Sequence, residues 1–96
     1  MIKYQIKKKQ SGVIELYLDK HPESRIILLT TAKNTYCVVS THVDINERGK
    51  GIGKSLYLAM IEFIRKQHAK FSATCPFIAE LANTDKSVKD VYIRQS

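Results

Sequence analysis

The chain has little cysteine and no long apolar run, and each shortage excludes a class of protein. Its two cysteines, Cys37 and Cys75, are too few and too far apart to form a disulfide framework or a zinc ribbon. No uncharged stretch approaches the roughly 20 apolar residues that cross a bilayer. No apolar segment follows the charged N-terminus, as it would in a signal peptide. We therefore expect a reduced, cytoplasmic chain that has no membrane partner.

Acidic residues are also scarce. Sixteen lysines and arginines stand against nine aspartates and glutamates, which gives a formal net charge of +7. Such an excess predicts an anionic partner, such as a nucleic acid, a phosphorylated cofactor or an acidic surface. The composition is 44% hydrophobic and 26% charged, as in ordinary globular proteins. We expect residues 1–96 to form a single domain.

The first half of the chain carries β-strand patterns. Apolar and polar residues alternate over residues 2–7, and Val13–Leu18 resumes with β-prone residues, so a hairpin is predicted. A loop is predicted over residues 19–24. The continuous apolar run at 25–31 predicts a strand that is buried on both faces. Residues 36–45 predict a fourth, long strand.

The apolar period changes in the second half of the chain. Spacings of three and four over residues 51–69 predict an amphipathic helix. A short strand follows at 71–74, then a short helix at 76–82 with Cys75 at its N-cap, because proline suits a first helical position. A weaker helix is predicted at 87–93. The predicted fold is α+β: a mostly antiparallel sheet of about five strands with one parallel, right-handed βαβ crossover and short C-terminal helices.

Three glycines and three cations lie between the longest strand and the longest helix. Glycine lets a backbone approach a ligand closely, and the first amides of a helix have no intrahelical acceptor. The helix dipole adds positive potential at the same place. A diphosphate is the predicted guest of this segment, although a merely flexible turn is the alternative. The segment is Arg48, Gly49, Lys50, Gly51, Ile52, Gly53 and Lys54.

Two common phosphate-binding motifs do not match this segment. The dinucleotide pattern G-x-G-x-x-G, begun at Gly49, requires a third glycine where Lys54 stands, and no acidic residue ends the next strand. The P-loop pattern requires a glycine at position 48, which is arginine. The pattern that fits is Arg-x-x-Gly-x-Gly, formed by Arg48, Gly51 and Gly53.

This loop resembles the pyrophosphate-binding motif of the GCN5-related N-acetyltransferases. The blocks at 41–45 (Thr-His-Val-Asp-Ile) and 75–78 (Cys-Pro-Phe-Ile) are similar to the short, single-domain YjdJ-type branch of that superfamily. The resemblance covers residues 25–81 and implies a minimal acyl-CoA N-acyltransferase fold. It also implies acetyl-CoA, or coenzyme A, as the acyl-donor cofactor, with no metal. Larger members usually have two helices between the first two strands that help to shape the acceptor site, and here only a turn fits.

The resemblance assigns the loop to the phosphates and the preceding strand to pantetheine. The residues implied to hold the phosphates are Arg48, Gly49, Lys50, Gly51, Ile52, Gly53 and Lys54. The backbone implied to hold pantetheine is that of Val43, Asp44 and Ile45.

Two side chains are candidates for catalysis. Cys75 at a helix N-terminus is favoured as a thiolate, and it follows a parallel strand end where ligands of such sheets bind. It could form an acyl-cysteine, form a wall of the cofactor site, or only fill space. His42 could act as a base near neutral pH or be structural. Cys37 is predicted to belong to the core.

The leading hypothesis is an acetyl-CoA-dependent N-acetyltransferase acting on a small amine, a polyamine or a protein lysine. The amine could attack the thioester directly, or the acetyl group could pass through Cys75. One alternative is a module that binds coenzyme A or acyl-CoA without catalysis. Another is a nucleic-acid-binding domain, which is disfavoured because the sequence offers no groove-reading helix with exposed arginines and no stacking aromatic pair.

Overall fold

A computed structural model describes residues 2–94 of the chain. The five strands are β1 (Tyr4–Lys8), β2 (Val13–Leu18), β3 (His21–Ala32), β4 (Thr35–His42) and β5 (Lys70–Ala73). The two α-helices are α1 (Ile52–Lys66) and α2 (Pro76–Thr84), and short 3-10 helices span Ile45–Glu47 and Lys86–Val88. No helix in the described range is long and apolar enough to span a membrane.

The strands form one sheet in the order β1-β2-β3-β4-β5. The first four strands are antiparallel neighbours, and β5 runs parallel to β4. Helix α1 is the crossover between β4 and β5, as its 3.6-residue apolar period predicts. The predicted α+β architecture with one parallel pair is confirmed.

One hydrophobic core joins both helices to a single face of the sheet. The expectation that residues 25–31 are buried on both faces is wrong. Ile26 and Leu28 are fully buried, whereas Ile27 is half-buried and Leu29 is 37% exposed. The run is continuous in sequence, but the core lies only on the Leu28 side. The fully buried side chains of this core include Leu16, Ile26, Leu28, Val38, Leu56, Met60, Ile64, Phe71 and Ile78.

Two strand boundaries differ from expectation. The loop expected at 19–24 is shorter, because β3 already begins at His21, which pairs with Leu18. Pro22, which has no amide hydrogen to donate, is tolerated there because pairing with β4 starts only at Arg25. On that side of β3 no backbone hydrogen bond is lost. The strand expected at 36–45 ends at His42, and the chain then turns into the 3-10 helix Ile45–Glu47.

The helix expected at 87–93 is also wrong. The side chain of Asp85 accepts a hydrogen bond from the Ser87 amide, which closes a single 3-10 turn. The chain then leaves helical geometry, because Tyr92 pairs with Phe71 of β5 and their ring centroids lie 5.1 Å apart. Arg65 of α1 adds a bidentate pair to Asp90 at 2.7 and 3.1 Å. Tertiary contacts therefore outweigh the weak helical pattern of the tail.

Candidate functional site

Strands β4 and β5 separate near their carboxyl ends. Their parallel pairing ends at Val38, whose carbonyl accepts from the amides of both Thr74 (3.0 Å) and Cys75 (3.1 Å). A register shift against β3 falls in the same place, because Leu28 pairs with Val38 while Ile27 pairs with Ser40. Such a bulge bends its strand. Beyond it, residues 40–42 pair with β3 but not with β5, and a gap opens beside β4.

This gap continues into a cleft of about 480 Å³. The cleft lies at the carboxyl ends of the two parallel strands and the amino end of α1, the edge at which such sheets bind ligands. Its walls come from the end of β4, from the loop before α1, from the first turn of α1 and from α2. The lining residues are Thr41, His42, Val43, Glu47, Arg48, Gly49, Gly51, Ile52, Gly53, Lys54 and Phe77.

Glycines set the shape of the cleft floor. Gly49 and Gly51 have φ angles of +82° and +76°, a left-handed conformation that other residues adopt only with strain. Gly53 has another reason to be glycine. A Cβ atom there would lie 2.9 Å from Cζ of Phe77 and 3.7 Å from Cγ2 of Val43. A side chain at position 53 would therefore enter the cleft and displace its wall.

The first turn of α1 lines the cleft and has amides without acceptors within the helix. The first intrahelical bond runs from the Ser55 amide to the Gly51 carbonyl at 3.1 Å. The amides of Ile52, Gly53 and Lys54 therefore have no acceptor within the helix, and Gly51 at the N-cap has no side chain to supply one. Such a helix end, with its free amides and the positive end of the helix dipole, is suited to an anion.

Cations surround these amides. The exposed Lys54 lines the cleft, and so does Arg48, whose Nε donates to the Val43 carbonyl at 3.2 Å. Lys50 is exposed beside the loop but does not line the cleft. The seven predicted phosphate-binding positions thus lie together, six of them on the cleft wall.

Comparison with known proteins agrees with this geometry. A family model described as GCN5-related N-acetyl-transferase matches residues 3–91. The chain belongs to the GCN5-related N-acetyltransferase family. The NMR solution structure of a GCN5-like protein from Staphylococcus aureus has a similar fold, with a TM-score of 0.71 and 24% sequence identity over 96% of this chain and 90% of that one. A search of curated proteins found no match.

Of the three residues expected to hold pantetheine, only one lines the cleft, and all three follow the end of β4. Val43 lines the cleft. The Asp44 amide is already engaged by the hydroxyl of Ser24 at 2.9 Å, and the Asp44 carboxylate caps the 3-10 helix by accepting from the Asn46 amide. Ile45 is 73% exposed, and neither it nor Asp44 lines the cleft.

The two catalytic candidates lie close to the cleft but not next to each other. His42 is exposed and lines it. Cys75 is the N-cap of α2 and is only 6% exposed, with its Sγ 3.4 Å from Oγ1 of Thr41. Thr41, rather than Cys75, lines the cleft, and no described hydrogen bond joins His42 to Cys75.

Cys37 is buried, as expected, although it lies outside the main hydrophobic cluster. It pairs with the exposed Leu29, on the sheet face opposite that cluster. Its thiol points toward Oγ1 of Thr74 at 4.0 Å. Across residues 2–94, no group of three or more His, Cys, Asp or Glu side chains is placed to hold a metal.

Sequence reasoning missed the acidic residue of the site. Glu47 lines the cleft, and its carboxylate accepts from Oγ of Ser24 at 2.8 Å and contacts Nδ1 of His21. These partners are more than twenty positions away in sequence, so no local pattern indicates them. The hydrogen bonds from His21 and Ser24, with the charge of Lys50, lower the pKa of Glu47 below its ordinary 4.5. Its ionised form therefore stabilises the fold above that value, and the contribution is lost as pH falls through the lower folded pKa.

Proposed function

We propose that this chain binds acetyl-CoA in the cleft and transfers the acetyl group to an amine. The observation that carries the proposal is the amino end of α1. There, three amides without intrahelical acceptors, two left-handed glycines and the side chains of Arg48 and Lys54 converge where β4 and β5 separate. These are the donors that a diphosphate requires. Membership of the N-acetyltransferase family supports the same donor.

The rest of the cleft fits the remainder of such a donor. Residues 39–42 of β4 have an edge with no strand partner, which is suited to an extended chain bearing amide groups such as pantetheine. The side chains of Val43 and Phe77 provide apolar wall next to it. Acetyl-CoA would supply an activated thioester.

The residues at the strand end support direct transfer. His42 is exposed and lines the cleft, where its imidazole could accept the proton of an attacking amine, whereas the carboxylate of Glu47 is engaged by Ser24 and His21. Cys75 lies behind Thr41 and is almost fully buried. Passage through an acyl-cysteine requires the Cys75 sulfur to form a bond to the acetyl carbon while the coenzyme A thiol leaves. Thr41 would have to move aside for that step.

Thermal melting with and without acetyl-CoA tests the proposal. A ligand at 100 times its dissociation constant adds about 2.7 kcal/mol of stability, so a domain of this size is expected to melt several degrees higher. ATP serves as the control, because it has phosphates but no pantetheine, and it should give a smaller shift. A panel of amines, polyamines and lysine peptides then identifies the acceptor by mass spectrometry. An unchanged melting temperature contradicts the proposal, and a shift without any product favours a non-catalytic coenzyme A-binding module.

Replacing Cys75 by alanine separates the two chemical routes. Direct transfer leaves turnover close to that of the wild type, because the thiol lies outside the cleft. Cys37→Ala is the matched control, since it removes the other buried cysteine from the opposite side of the sheet. A large loss confined to Cys75→Ala, together with an acetylated wild-type protein in mass spectra, would overturn direct transfer and establish the acyl-cysteine route.

A further inference from the structure

Glu47 is an unexpected residue in a cleft that is proposed to bind phosphates. It is the one acidic side chain among the described lining residues, and it stands immediately before Arg48. A carboxylate at this place repels the phosphates of the proposed donor. A residue that weakens binding in this way needs a compensating role, and the contacts of Glu47 indicate what that role is.

Glu47 connects the phosphate-binding loop to the start of β3. The Ser24 hydroxyl donates to Oε1 of Glu47 at 2.8 Å and accepts from the Asp44 amide at 2.9 Å. His21 contacts the other carboxylate oxygen. Ser24 is fully buried, so its hydroxyl is held in a fixed position. From there it binds both ends of the turn at 44–47, namely the Asp44 amide and the Glu47 carboxylate. The Glu47 amide closes the turn by donating to the Asp44 carbonyl at 2.8 Å.

Apolar burial does not hold this turn. The 3-10 helix Ile45–Glu47 contains no buried residue, and Ile45 extends into solvent. Residues 48–51 are also exposed. The polar contacts to Ser24 and His21 therefore connect this turn to β3. A loop held before binding loses less conformational entropy when a ligand arrives.

We propose that Glu47 is a positioning residue, held by Ser24 and His21, that pre-organises the loop for the phosphates of the acyl donor. The proposal rests on the function proposed above. The groups that face the carboxylate are His21 and Ser24 from β3 and Lys50 from the loop itself. Because these groups pair with the negative charge of Glu47, the carboxylate repels the phosphates of the donor less. The same contacts still hold the loop against β3.

Whether replacing Glu47 raises or lowers the affinity for coenzyme A distinguishes a positioning residue from a charge with no role in binding. Glu47→Ala removes a negative charge from an anion site, so a bystander would give tighter binding of coenzyme A. A positioning residue gives weaker binding, by roughly five- to tenfold for the loss of its hydrogen bonds. Glu47→Gln should recover part of that loss, because its amide oxygen can still accept from Ser24. Ser24→Ala should also weaken binding, although it leaves every charge in place.

The experiment is calorimetric titration of these variants with coenzyme A. Glu23→Ala is the matched control, because it removes an exposed carboxylate next to Ser24 and outside the cleft. Amide hydrogen exchange of the ligand-free variants provides a second readout, and we expect faster exchange over residues 44–50 in Glu47→Ala and Ser24→Ala. In turnover assays, KM for acetyl-CoA should rise while kcat stays unchanged.

The outcomes separate this inference from the proposed function. If the wild type does not bind coenzyme A, the proposed function fails and this inference fails with it. If the wild type binds but Glu47→Ala binds equally well or more tightly, only the positioning role is overturned. Unchanged exchange over residues 44–50 in Glu47→Ala overturns it as well. Glu47 is partly exposed, so its alanine variant should fold even if replacement of the buried Ser24 proves disruptive.

Discussion

Gly53→Val is expected to weaken acetyl-CoA binding at least about 100-fold, equivalent to about 2.7 kcal/mol. The introduced Cβ would stand 2.9 Å from Cζ of Phe77, and the branched side chain would project into the cleft beside the unpaired amides of α1. The phosphates could then no longer approach the helix. The Phe77 ring is partly exposed and can rotate outward, so the cost in unfolding free energy should stay within about 1–3 kcal/mol. Calorimetry measures the affinity, and thermal melting confirms the fold.

Two further variants make this test specific. Ser55→Ala changes the same turn of α1 at a position that does not line the cleft, and it should bind like the wild type. The double variant Gly53→Val/Phe77→Ala removes the clash with the ring and should recover stability but not affinity. Recovery of affinity in the double variant would mean that Gly53 matters only through Phe77, which contradicts direct approach of a ligand to this amide.

Lys54→Glu is expected to weaken acetyl-CoA binding by roughly ten- to 100-fold. It removes a cation from the amino end of α1 and places a carboxylate where the phosphates are expected. The dependence of affinity on salt concentration should become shallower at the same time, because fewer charges are paired on binding. Calorimetric titrations at two or three salt concentrations measure both effects.

A charge-matched control distinguishes the local site from the overall charge of +7. Lys86→Glu changes the net charge equally, but Lys86 is exposed in the 3-10 helix after α2 and does not line the cleft. Affinity close to that of the wild type is expected for this variant. Equal losses in Lys54→Glu and Lys86→Glu would show that long-range attraction, rather than a built phosphate site, explains any binding.

The sheet and its crossover could be predicted from the sequence because their signals are local. Alternation over residues 2–7 and the β-prone residues at 13–18 indicated β1 and β2, and the 3.6-residue apolar period indicated α1. Errors arose where tertiary contacts override local preference. Pro22 suggested a loop but lies in β3 at a place without a β4 partner. The tail pattern at 87–93 suggested a helix, but the contact between Tyr92 and Phe71 prevents it.

The glycine-rich loop before α1 could be predicted from the sequence because its signal, like that of α1, is local. Its glycines and cations are contiguous, so six of seven predicted positions line the cleft. The polar connection behind it was not visible, because Ser24 and His21 reach Glu47 only when β3 lies beside the end of β4. The burial of Cys75 behind Thr41 likewise depends on how β4 and β5 separate, which residue spacing does not encode.

The most direct test of the account is an NMR titration of the wild-type protein with coenzyme A, observed at the backbone amides. We expect the largest saturating shifts at Ile52, Gly53 and Lys54, because their amides have no acceptor within α1 and these residues line the cleft. Smaller shifts should follow along residues 39–43. Saturating shifts centred elsewhere, with these three amides unmoved, would contradict the claim that the amino end of α1 holds the phosphates.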